Sequence, residues 1–425
     1  MALRVGLLHY TAPPVVGGVE LVIGQHARLL ADAGHRVRII AGRGGLRDPR
    51  LEVVRIPLAD TRHPAIRATR ASLDAGRVPA TFEALVAEIA AALRPVVADL
   101  DVLVAHNVCG LHLNLPLTAA LRELVADPGG PGFVAWQHDL AWTSIRHVGE
   151  LHPGHPWDLL RTVWPRTTYV AVSEARRAEQ AGITGLPTDA IHVVPNGIDL
   201  ERLLGIHPAT GRILRGLGLP GPGPVLLVPV RITPRKNLAL AVGVVAELRR
   251  SGDDARLIVT GPPDPHASGM SAGLDRLRAA AADAGVAAAV HLLSVDRGRR
   301  TPSRVVSDLY RVADALLLPS HDEGFGLPVL EAAACRLPVF CADIPALREL
   351  AGDDATYFDP AAHPSEVADV IRERLATEPV ARLATRVRRE YGWPAIYATR
   401  IEPLLEQVSA GSGRFTSRVA RPPAE

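Results

Sequence analysis

The chain has 425 residues, too many for one ordinary core, which points to two domains of about 200 residues each. Nearly half its residues are apolar (48%) and 22% are charged, a globular balance that excludes a disordered chain. The net charge of +2 is too near neutral for a nucleic-acid partner. The three cysteines, Cys109, Cys335 and Cys341, have no disulfide or metal-ligand spacing and fit a reduced, cytoplasmic compartment.

In chain order, short β-branched runs alternate with longer helical patterns, the signature of parallel sheets with crossover helices. Strands are expected at residues 4–9, 37–41, 101–106, 133–137, 169–172 and 191–194, with a helix over 19–33 stopped by Gly34. The apolar opening breaks at Thr11-Ala-Pro-Pro, too early for a signal core, and no run of about 18 apolar residues exists to span a membrane. Peripheral membrane contact through Arg67, Arg70 and Arg77 stays open beside the plainer reading of a solvated face.

Residues 211–224, dense in Gly and Pro, read as a linker after a first domain at 1–210. The alternation restarts over 225–390, with strands expected at 225–230, 256–260, 290–293, 315–319 and 338–342. Asn237 is placed to cap a helix over 238–250. A last helix, within 391–408, is expected to return to the first domain, and 409–425 to fray. The fold class is α/β, two doubly wound domains with a ligand cleft at their strand C-terminal ends.

Chemistry concentrates at Glu323–Glu331, EGFGLPVLE, directly after the strand ALLLPS. Gly324 and Gly326 let backbone approach a ligand, and Pro328 suits the first turn of a helix whose free N–H groups can hold phosphate. Arg231 and Lys236, in PVRITPRKN after another strand, suit a diphosphate leaving group. Lys236 is the only lysine beside 46 arginines, which suggests a site that demands a compact point charge rather than a planar fork. Chance survival of one lysine, and a solvated helix start with two incidental glutamates, are the plainer readings.

Two glutamates with seven residues between them, GFGLP among these, resemble the hallmark of glycosyltransferase family 4, retaining enzymes with the two-domain GT-B fold. The resemblance implies that Glu323 contacts the donor sugar, that Glu331 binds the nucleotide ribose, and that Arg231 and Lys236 meet the diphosphate. It extends donor binding to Gly17 and Gly18 before the first helix, and to Gly324, Phe325, Gly326 and Leu327. PNGID at 195–199 and VSE at 172–174 look like first-domain markers of the same family. His138, past a first-domain strand, matches a histidine that touches the donor sugar, and so completes a catalytic set with Arg231, Lys236 and Glu323.

The implied reaction moves a sugar from a nucleotide diphosphate, UDP or GDP first, to a hydroxyl of a polar sugar or cyclitol, by front-face substitution. No metal or other cofactor is implied. Four of the five tryptophans (Trp136, Trp142, Trp157, Trp164) share one stretch with His147, His152 and His155. Aromatic faces pack on sugar rings, so the expected acceptor contacts are His106, Asn107, Asp139, Trp142, His152 and Trp157, against ordinary loop packing. His147, His152 and His155 lack helical spacing or cysteine partners, so no metal site is assigned to them. Two rivals remain: a nucleotide-sugar epimerase or hydrolase of the same fold, and a non-catalytic nucleotide-sugar-binding protein.

Overall fold

The computed structural model describes residues 2–219, 221–263 and 270–411. Two compact units emerge, Met1–Gly197 with the return from Trp393, and Ile198–Gly392.

In the first unit, β1 (Arg4–Thr11), β2 (Arg36–Arg43), β3 (Leu51–Arg55), β4 (Val102–His106), β5 (Gly132–Gln137), β6 (Thr167–Ala171) and β7 (Ile191–Val193) form one parallel sheet. Its order is β3-β2-β1-β4-β5-β6-β7, with Leu7 opposite both Ile39 and Val104. Helices cover both faces, so the central strands read as unbroken apolar runs instead of alternating ones. Leu8, Ile40, Phe82, Ile89 and Phe133 fill one side. Leu7, Ile39, Val104 and Trp136 fill the other, together with Trp393, Ile401 and Leu404. Each such residue, fully buried, contributes about 1.5–3 kcal/mol of transfer free energy.

The second unit repeats the plan with β8 (Val225–Val228), β9 (Arg256–Val259), β10 (Val290–Leu292), β11 (Ala315–Leu318), β12 (Val339–Ala342) and β13 (Thr356–Phe358). The order β10-β9-β8-β11-β12-β13 makes β8 and β11 neighbours. Strand order reverses there, so the C-terminal ends of β8 and β11 bound the crevice where such sheets bind ligands. The same rule points to β1 and β4 in the first unit.

Several expectations need correction. Residues 211–216 belong to the helix Pro208–Gly216, not to a linker, because Leu214 is buried in the second unit's core. The units part at Gly197 and Ile198. Asn237 precedes its helix but makes no capping bond. It sits in the left-handed region (φ 50°), and its amide donates to Pro360 O at 2.9 Å. The terminal helix is broken into Trp393–Ile396, a π turn at Tyr397–Ile401, and Glu402–Ala410. The tail expected over 409–425 lies, from 412 on, outside the described residues. No helix among the described residues is long and apolar enough to cross a membrane.

Candidate active site

In the second unit, the turn after β8 winds into a short 3₁₀ segment, Pro234–Lys236, which turns the Lys236 side chain inward. The loop after β11 carries Glu323 to the same place because the two strands are adjacent. Lys236 Nζ and Glu323 Oε1 lie 2.5 Å apart, each side chain only 8% exposed. Ser320 Oγ donates to the same carboxylate oxygen at 2.8 Å, and His321 N donates to Arg235 O at 2.9 Å, tying the two loops together. Arg231 stands exposed at the rim.

Gly326 follows in the left-handed region (φ 95°), where a Cβ would come within 2.6 Å of Leu347 Cδ2. That turn opens the helix Leu327–Ala334, which has Pro328 in its first turn and no side chain capping its N–H groups. A bare helix start with partial positive charge therefore stands beside the Lys236–Glu323 pair. Gly324 meets nothing within 4 Å, and Phe325 and Leu327 are exposed. Glu331 accepts a hydrogen bond from Tyr310 Oη at 2.5 Å; burial, then the bond to Glu331, pushes the tyrosine's pKa up. Ser320 and Tyr310 were not singled out from sequence, since an isolated hydroxyl carries no spacing signal.

In the first unit, histidines gather at the strand ends. His138 Nε2 lies 3.2 Å from His106 Nδ1, and His9 donates from Nδ1 to His106 O at 2.7 Å. His26 packs edge-on against Trp136 and Trp393. Burial lowers all four pKa values, His138 to about 4 and His26 to about 3, so these rings are neutral at pH 7. Asn107 holds the tip of β5 in place: its Oδ1 accepts from His138 N at 2.9 Å and from Asp139 N at 2.8 Å, while its Nδ2 donates to Asp139 Oδ2 at 3.1 Å. Thr11 donates to the buried Glu20 in the first turn of the helix Gly18–Asp32. Gly17 is extended with the Glu20 carboxylate packed against it, where a Cβ would clash, whereas a Cβ on Gly18 would meet nothing.

The expected acceptor contacts divide. His106 is 0% exposed, and Asn107 spends its amide oxygen on the backbone of His138 and Asp139 and its Nδ2 on the Asp139 carboxylate, so both brace the turn that carries His138. Trp157, at 3% exposure, is core, as are Trp136 and Trp164. Aromatic area is worth most when removed from water, and here the fold removes it. His152 packs edge-on against Trp157 and approaches Asp74 O at 3.2 Å. Trp142 is half-buried under the Arg161 guanidinium, 4.3 Å from the ring centre, and Asp139 is exposed. His9, Thr11 and Glu20 were missed; His9 and Thr11 end β1, a position the strand-end rule marks.

Family models for "Glycosyltransferase Family 4" and "Glycosyl transferases group 1" match residues 16–202 and 211–390. A D-inositol 3-phosphate glycosyltransferase of Frankia alni is 31% identical over 304 residues, 67% of this chain and 71% of that protein. One from Thermobispora bispora is 27% identical over 92% of this chain and 90% of its own. One from Xylanimonas cellulosilytica is 33% identical over 55% of each chain. The 211–390 match takes in Lys236, Glu323 and Glu331, the 16–202 match takes in His106 and His138, and the donor chemistry of this group needs no divalent cation. The chain belongs to glycosyltransferase family 4, the retaining, nucleotide-sugar-dependent transferases of GT-B fold.

Proposed function

We propose that the second unit binds the donor and the first binds the acceptor, with a phosphorylated cyclitol or sugar as the acceptor. The observation that carries the donor assignment is the Lys236–Glu323 pair beside a bare helix start, a cation and a carboxylate buried together at the sheet's switch point. A bound diphosphate takes Lys236, Arg231 and the first-turn amides of Gly326 and Leu327, which stabilise the charge that develops on the leaving group. Glu323, still held by Ser320, then accepts from the sugar, and Glu331 from the ribose. The acceptor hydroxyl attacks from the leaving group's side and gives its proton to the departing phosphate oxygen. His138, neutral at pH 7, serves as a hydrogen-bonding partner of the sugar and not as a cation.

Two observations support a phosphorylated acceptor. The relatives' name specifies an inositol phosphate, and an open pocket of about 680 Å³ in the first unit is lined by Arg62 and Arg67, with Arg70 paired to Asp74 at its wall. Guanidinium groups suit phosphate oxygens. The free thiols of Cys109, Cys335 and Cys341 support a cytoplasmic location, which cell fractionation tests directly.

Calorimetry with UDP, GDP, ADP and dTDP tests the donor reading. One diphosphate binds tightly to the wild type, and Arg231→Ala and Lys236→Ala weaken it without any dependence on added metal. Failure of all four to bind, or binding indifferent to both substitutions, removes the donor assignment. Turnover with inositol phosphate against free inositol, repeated in Arg67→Gln, tests the acceptor. Equal use of both acceptors by the wild type overturns the phosphate requirement.

A further inference from the structure

We propose that Asp74, His112, His147 and Glu150 form a zinc site that fastens the segment 141–160 to the body of the first unit and takes no part in the transfer chemistry. Asp74 ends the helix Pro64–Asp74, His112 lies in a 3₁₀ turn after β4, and His147 and Glu150 flank another such turn, Val148–Glu150. Spacing along the chain could not show this group, because His147 is paired by the fold with His112 rather than with His152 or His155.

The side chains meet from three separate elements. His112 Nε2 lies 2.6 Å from Glu150 Oε2 and 3.9 Å from Asp74 Oδ1, and His147 Nδ1 lies 3.7 Å from the same Glu150 oxygen. The ligand atoms of His112, His147 and Glu150 all fall within 4.8 Å of one another. Zinc with bonds of about 2.0–2.2 Å spaces its ligands roughly 3.3 Å apart, so side-chain adjustments of about 1–1.5 Å bring His112, His147 and Glu150 onto one ion, with Asp74 joining from beside His112. Two imidazoles and two carboxylates are a zinc set; calcium and magnesium prefer all-oxygen cages.

The charges favour a cation. Arg70 reaches Asp74 Oδ2 and Glu150 Oε2, each at 3.4 Å, so one guanidinium serves two carboxylates. Asp74 Oδ1 is buried without a hydrogen-bond partner. His112 is only 1% exposed, whereas Asp74, His147 and Glu150 remain partly open, which gives an ion a way in. The segment being fastened has only short 3₁₀ turns, Ala141–Thr143, Val148–Glu150 and Trp157–Leu160, with little ladder of its own. Closing such a stretch from three separate elements is where a metal clip gains most.

The test strips the full chain with EDTA, dialyses it and titrates Zn²⁺ against a chromophoric chelator, for the wild type and for His147→Gln and Glu150→Gln. Both substitutions fall at partly exposed positions, and circular dichroism checks that the variants fold. The wild type binds one more zinc per chain than either variant, or binds it at least about tenfold more tightly, and only its Tm rises with zinc. Cobalt substitution gives tetrahedral visible absorption in the wild type alone. Equal zinc affinity and stoichiometry in all three proteins overturns the site. Loss of turnover on stripping the wild type overturns its separation from the chemistry.

Discussion

Replacing Lys236 with Met leaves the Glu323 carboxylate buried with only Ser320 as a partner, since Lys236 and Glu323 are each 8% exposed. Breaking a buried pair by removing one member costs about 3–5 kcal/mol, mostly the penalty of the stranded charge. With an m-value of about 2 kcal/mol/M, that lowers the urea midpoint of the second unit by roughly 1.5–2.5 M. The two units can be followed separately. All five tryptophans (136, 142, 157, 164 and 393) lie in the first unit, so tryptophan fluorescence reports that unit while far-UV circular dichroism reports both. The expected result is an early dichroism transition with unchanged fluorescence. The double variant Lys236→Met/Glu323→Gln removes both charges and recovers roughly 1–3 kcal/mol relative to the sum of the single variants. Lys236→Arg does not restore the wild type, because Glu323 presents one oxygen already shared with Ser320, and a planar fork needs two. A Lys236→Met protein with the wild-type dichroism midpoint, or an additive double variant, refutes the buried-pair account.

Acid should loosen the first unit. An unfolded histidine takes its proton near pH 6.5, whereas folded His138 and His26 do so near 4 and 3, so the unfolded state binds more protons in between. Stability therefore falls as pH drops from 6.5 toward 4, by up to about 1.4 kcal/mol per pH unit for each histidine. Tryptophan fluorescence follows this loss, and an unchanged acid midpoint in His26→Phe would contradict it. Gly326→Ala forces φ 95° on an alanine and drives its Cβ toward Leu347, costing about 1–3 kcal/mol and raising donor KM. A donor KM equal to wild type would show that the turn is not part of the donor site. Trp157→Ala opens a core cavity at about 3–5 kcal/mol, whereas Trp142→Ala, half-exposed, leaves the melting curve near wild type and raises acceptor KM more than donor KM. Equal changes in the two KM values for Trp142→Ala remove it from the acceptor side.

The proposed donor site in the second unit was legible because its parts are local. Each strand end, glycine turn and helix start in 225–260 and 315–331 lies within a few residues of the next, and parallel βα units have a regular grammar. Even so, only the strand order, with β8 beside β11, brings Lys236 against Glu323. The acceptor half was not legible for the same reason in reverse. His9, His26, His106 and His138 come from three strand ends and a helix, and their meeting depends on β1, β4 and β5 lying side by side. Composition alone made Trp157 look like part of a sugar platform. Which face of a pleat or turn a tryptophan occupies decides whether it meets core or solvent, and in a sheet covered on both sides both faces are core. The same blindness hid the Asp74–His112–His147–Glu150 cluster, whose members are separated by up to 76 residues and share no helix face. A signal of that kind becomes readable only when titratable residues that end neighbouring elements are considered together, because the ends of parallel strands are where a doubly wound sheet gathers residues distant in sequence.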